Sequence, residues 1–207
     1  MHFTALFAIA LSALVWGSAP LPTPTPGIVL ENAYARVSRN QAACAASGPG
    51  CEDRVLVALS DLVLETPTGP ARRMSRGEVA VFRAGASYAA PRAGEFFEVV
   101  LKRNHPAVES TPVRIAPEKN SLLFDSPEFF VFEEKLDPGE TRARHSHSQR
   151  VVVVINETRL QQWPDGAAEL LRNQVPDDVR FNPPVVHVVK NVGERPLRNI
   201  VMELKGP

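Results

Sequence analysis

The chain carries no excess charge of either sign. Its 23 basic and 23 acidic residues balance, and neither a basic block nor an acidic tail breaks the even spread. That argues against a nucleic-acid partner and an anionic membrane surface, since both call for clustered cationic side chains. Cysteine is nearly missing, with two residues in 207. Two sulfurs without a histidine nearby make a poor zinc site. Beyond Ala19 no apolar run approaches the length needed to cross a bilayer, so the remainder is expected to be soluble.

What is present reads as a globular protein. Apolar and charged fractions are 44% and 22%, ordinary for a chain that packs a core. The length allows one large domain or two small ones, and the 19 prolines fall between apolar runs, as turn punctuation does. Phe3 to Trp16 is uncharged and is followed by the small residues Gly17, Ser18 and Ala19. Residues 1–19 therefore read as a secretory signal, although only His2 and the α-amino group precede the apolar run. Residues 20–27 form a proline-rich spacer. The expected destination is the periplasm or the exterior. Cys44 and Cys51 flank a short turn that suits a disulfide in that setting, worth about 2.5 kcal/mol by loop entropy.

The most informative pattern is an internal repeat. Arg54-Val55-Leu56-Val57 matches Arg150-Val151-Val152-Val153, and Pro67-Thr68-Gly69 matches Pro164-Asp165-Gly166. Val79-Ala80-Val81-Phe82 matches Asp178-Val179-Arg180-Phe181, and Val100-Leu101-Lys102 matches Glu203-Leu204-Lys205. The matches keep one order along the chain, which predicts two similar units over residues 28–112 and 113–207. Nearly every segment reads as a short strand bounded by Gly, Pro, Asn or Asp. Ala167 to Asn173 fits a helical turn or a hairpin arm. The fold class expected is all-β, two tandem barrels or sandwiches.

Only the second unit carries clustered histidines. On a strand His145 and His147 project from one face, because side-chain direction alternates with period two. His187, about 40 residues on, could add a third imidazole from a neighbouring strand. Val151 and Val153 are expected to continue the histidines' face into the interior, with Arg142, Arg144 and Arg150 alternating outward.

Gly139, His145 and His147, followed by His187 and Asn191, resemble the two motifs of the cupin superfamily. The resemblance is good over residues 126–205 and reaches the first unit through the repeat alone. It implies two antiparallel jelly-roll barrels in one chain, a bicupin, with a divalent transition metal (Fe, Mn, Ni, Zn or Cu) held by His145, His147 and His187. Where the family's motif has glutamate, at 151 or 152, this chain has valine, and Pro184 replaces the usual glycine of the second motif. Gln149 on the same strand, Glu133 or Glu134 on the preceding strand, and Asn191 are the accessory candidates. In the first unit Pro49, Cys51 and Tyr88 stand where His145, His147 and His187 do, so that barrel is expected to bind no metal.

Two readings of function follow. One is an exported metal-dependent cupin that binds or transforms a small molecule, with oxygenase-like or isomerase-like chemistry among the options. The other is a non-catalytic extracytoplasmic ligand-binding or structural module without metal. The catalytic residues are not identified by sequence. The implied partners are a small-molecule ligand and a second copy of the chain, with no nucleic acid.

Overall fold

The computed structural model describes residues 27–42, 51–65, 70–86, 88–91, 93–108 and 120–206. The expected signal segment, most of the spacer, Cys44, Pro49 and the 112/113 boundary lie outside them. The first repeat contributes β1 (Ile28–Glu31), β2 (Ala35–Arg39), β3 (Asp53–Ala58), β4 (Leu62–Leu64), β5 (Arg72–Met74), β6 (Val79–Phe82) and β7 (Phe96–Leu101). The second contributes β8 (Asn120–Asp125), β9 (Phe129–Leu136), β10 (Thr141–His147), β11 (Arg150–Val154), β12 (Thr158–Pro164), β13 (Leu170–Gln174), β14 (Val179–Asn182), β15 (Val185–Asn191) and β16 (Leu197–Leu204). No helix occurs among the described residues, and the segment at Ala167 resolves into a hairpin arm ending in β13.

The duplication is visible in the strand order. One five-stranded sheet runs β1-β2-β7-β3-β6 and the other β8-β9-β16-β11-β14, the same order once corresponding strands are exchanged. The register sharpens one match. Leu56 pairs with Ala80 as Val152 pairs with Arg180, so Val79 corresponds to Val179, one residue later than the sequence match suggests. Opposite these sheets lie the hairpin β4-β5 in the first repeat and the four-stranded sheet β10-β15-β12-β13 in the second. Strands equivalent to β10 and β15 are absent among the described residues of the first repeat.

The two five-stranded sheets pack against each other. Val55, Val57, Phe97 and Val99 from one side and Val131, Val151, Val153, Ile200 and Met202 from the other belong to a single buried apolar cluster. This explains why β3, β7 and β11 are buried on both faces. One face lines its own barrel and the other meets the neighbouring repeat, each side chain contributing about 1.5–3 kcal/mol of hydrophobic stabilisation. Ion pairs border the junction, with Arg76 and Arg39 reaching Asp177 at 2.7 and 3.2 Å.

This packing corrects the expected facing of Val151 and Val153. They point out of their barrel into the junction, while Val152 points inward beside Phe130, Phe132 and Val201. β10 and β11 lie in different sheets. The turn at Ser148 and Gln149 between them breaks the count of two that a continuous strand would keep.

Candidate metal centre

The site begins with a glycine. Gly139 has φ +80°, which its turn requires and an L side chain resists, and its amide donates to the Asn191 carbonyl at 2.9 Å. This pins the start of β10 to the end of β15. Along the β10–β15 pair Arg142 faces Val189 while His145 faces His187. Three residues on one strand thus span two on the other, a one-residue bulge. The bulge resets the alternation, so Arg142, His145 and His147 all turn inward although 142 and 145 differ in parity. Arg144 is left outside, where it pairs with Asp165.

Inside the barrel the three imidazoles converge. One nitrogen from each of His145, His147 and His187 lies within 4.8 Å of the others, and no other such group of histidine, cysteine or carboxylate occurs among the described residues. The Nε2 atoms of His145 and His147 are 3.1 Å apart. His145 Nδ1 donates to the Ala143 carbonyl and His147 Nδ1 to Glu203 Oε2, both at 2.8 Å. With both Nδ1 atoms carrying the protons, two Nε2 lone pairs face one another, an arrangement that a cation between them relieves. His187 Nε2 is buried with no hydrogen-bond partner. Convergent lone pairs and an orphaned ring nitrogen fit a divalent transition metal on three neutral imidazoles.

Electrostatics keep these rings neutral, as metal ligation requires. Burial and the Arg142 charge hold His145 below its ordinary value. Burial and Arg150 hold His147 well below it. Burial, then the other two histidines, take His187 down to about 2. Glu203 is fully buried and accepts from the Ser148 amide at 2.6 Å and the Ser148 hydroxyl at 3.1 Å. Burial pushes its carboxyl up to about 7, against the lowering pull of Ser148 and Arg150. Placed behind His147, Glu203 orients the ring and raises its basicity.

A cavity of about 200 Å³ opens beside the histidines. Glu134 lines it, held by Arg142 and Asn199 at 3.1 Å each. Burial raises the Glu134 carboxyl, but the Arg142 charge, with the Asn199 hydrogen bond, brings it below the ordinary range. Glu133 points the other way, into ion pairs with Lys135 and Arg198, so the accessory carboxylate is Glu134. Gln149 is buried in the β10–β11 turn, away from the cavity wall, and its carbonyl takes the Leu204 amide at 2.9 Å. Asn191 shares the face of His187 but is spent on structure. It bonds Thr158, the Leu136 and Arg195 carbonyls and the Gly193 amide at 2.7–3.0 Å. Arg142 and Arg150 are buried, contrary to the outward facing expected of them.

Glu203 and Arg180 escape sequence reading because they sit on strands without histidines. Between the two carboxylates named on β9, parity selects Glu134, which shares the face of Phe130 and Phe132. The first repeat shows the opposite interior. Tyr88, which the repeat is expected to place where His187 stands, is buried, stacks on Phe82 at 4.1 Å and donates to Glu98 at 2.5 Å. Arg54 lies over both rings, at 5.5 Å from Tyr88 and 5.9 Å from Phe82. Cys51 is buried just before β3.

No protein-family model and no curated protein matches the chain. Solved structures do. A cupin 2 conserved barrel domain protein from Leptotrichia buccalis aligns over 86% of this chain and 87% of its own, at 11% identity and a TM-score of 0.54. AerE from Microcystis aeruginosa aligns over 87% of this chain and 97% of its own, at 16% identity and a TM-score of 0.50. At such identities the likeness is one of fold.

Proposed function

Because this chain has the cupin fold, we propose that its C-terminal barrel is a metal-dependent small-molecule site and its N-terminal barrel a structural companion. The observation that carries the reading is the convergence of His145, His147 and His187 with a buried, unpartnered Nε2 on His187. The three histidines would hold one divalent transition metal, which when bound supplies a Lewis acid with open positions for a ligand. Glu203 holds the His147 ring in its donor orientation. Val152 and Val201 exclude water from one wall, and Glu134 is the carboxylate facing the cavity. Held at two points, Glu134 is a candidate for accepting a proton from a bound ligand.

Metal analysis of tag-free protein, prepared aerobically and anaerobically, tests this. Near-stoichiometric metal in wild type that disappears in His145→Ala/His147→Ala is expected. Metal absent from both would leave the non-catalytic module as the better reading, which the solvent-excluding Tyr88 plug of the first barrel favours for that half.

Export belongs to the same proposal. It is supported by the apolar run and small residues of segment 1–19 and by the spacing of Cys44 and Cys51. The amino terminus of protein secreted from its host, and thiol titration of the unfolded chain, check it. Loss of the first residues and no free thiol are expected.

A further inference from the structure

Three arginines on the wall of the cavity find no carboxylate of their own. Arg150, Arg172 and Arg180 all line it, and among the described residues no acidic group lies within ion-pair distance of any of them. The one carboxylate on the wall, Glu134, is held by Arg142 and Asn199. Arg150 donates to the carbonyls of Ser148 and Pro183 at 3.2 and 3.0 Å. Arg180 donates one Nη to Gln174, while its Nε is buried without a partner. Arg142, Arg150, Arg172 and Arg180, buried or half-buried, outnumber the carboxylates Glu134 and Glu203 beside them and make a cationic interior, costly unless an anion completes it.

The strands place these groups on facing walls. Arg180 stands opposite Val152 on the β14–β11 pair, and Arg172 opposite Leu160 on the β12–β13 pair of the other sheet. Their charges reach across. Burial first, and Arg172 second, lower the pKa of Arg180. Burial also lowers that of Arg150, with Arg172 adding to the effect and Glu203 and Glu134 opposing it. The same wall carries apolar side chains, among them Leu160, Val189 and Val201, alongside Gln162, Gln174 and Asn182. In the first repeat Ala80 takes the place of Arg180. Arg150 keeps a buried counterpart in Arg54, so Arg180 is a charge that the second repeat adds.

We propose that the cavity receives a small organic anion, its carboxylate between Arg150, Arg172 and Arg180 and its carbon body against Leu160, Val189 and Val201. Planar guanidiniums match a carboxylate bidentately, and the apolar wall selects an organic anion over an inorganic one. A cavity of about 200 Å³ limits the ligand to a small molecule. The proposal deepens the small-molecule reading of the same barrel by naming the ligand's class, and it does not need the metal to be bound.

The test compares 4-methylpentanoate with its neutral isostere 4-methylpentanamide and with inorganic phosphate, by calorimetric titration of metal-free and metal-loaded protein. The carboxylate should bind at least tenfold more tightly than either. Arg180→Gln and Arg172→Gln should each weaken it at least tenfold while leaving metal content unchanged, and Arg180→Lys should restore part of the loss. Circular dichroism identifies a variant that has not folded, and Arg172→Gln, on a half-buried side chain, then stands for the pair. No binding of 4-methylpentanoate in either form, equal binding of the amide or of phosphate, or indifference to the arginine variants overturns the proposal. Loss of metal in the histidine variants is read separately, so failure of the anion site and failure of the metal site are distinct results.

Discussion

His147 Nδ1 lies 2.8 Å from Glu203 Oε2, a contact between β10 and the last strand of the chain, with both side chains buried. The carboxylate fixes the ring so that Nε2 faces the other two histidines. Replacing Glu203 with glutamine keeps the shape and removes the charge. Metal affinity is expected to fall about 10- to 100-fold, as for other carboxylates that orient a ligating histidine. A competition titration against a chelator measures it, and unchanged affinity would remove Glu203 from the site's design.

Arg142 and Glu134 form a buried pair at 3.1 Å, supported by Asn120 and Asn199. Removing one partner strands the other charge. Arg142→Met is expected to cost about 3–5 kcal/mol, and Arg142→Met/Glu134→Gln to recover part of that loss. Urea denaturation of the two variants gives the comparison. A double variant no more stable than the single one would show that the pair is not the source of the cost.

The apolar junction between the repeats predicts shared stability. Because one core cluster draws on both five-stranded sheets, thermal unfolding is expected as a single transition. Ile200→Ala is expected to lower the stability of the whole by about 2–5 kcal/mol. Two calorimetric transitions, with only the later or earlier one moved by the substitution, would contradict a shared core.

Much of this was legible in the sequence, and the misses have physical causes. The order of the repeats, the strands and the three histidines follow from alternation and spacing. The facing of Arg142 does not, because a bulge between Arg142 and His145 inserts one residue into the period of two. Val151 and Val153 misled for a related reason. A β-branched strand buried on both faces carries no sign of which face meets its own barrel and which meets the other repeat. Glu203 is separated from His147 by 56 residues, and no local pattern ties them.

The metal-free protein should lose stability in mild acid. Burial and neighbouring charges hold the folded-state pKa of His145, His147 and His187 below 6.5. The unfolded chain then takes up protons that the folded state refuses. Their contribution is fully present above about pH 6.5 and is lost below it, at about 1.4 kcal/mol per pH unit for each histidine. Glu203, raised to about 7, works in the opposite direction over part of this window. The urea midpoint should therefore drop between pH 7.5 and 5.5, and drop less in His187→Gln. An equal drop in the two proteins would mean that His187 is not kept neutral by the fold.

One barrel of the two is expected to hold a single ion, on the three imidazoles of His145, His147 and His187. Titration of the metal-free protein with Co²⁺, followed by optical absorption and by paramagnetically shifted imidazole resonances, tests it most directly. Saturation at one ion per chain with three shifted imidazoles, and a loss of affinity of at least tenfold in His187→Ala, is the predicted result. No saturable binding, two ions per chain, or indifference to His187→Ala would contradict it.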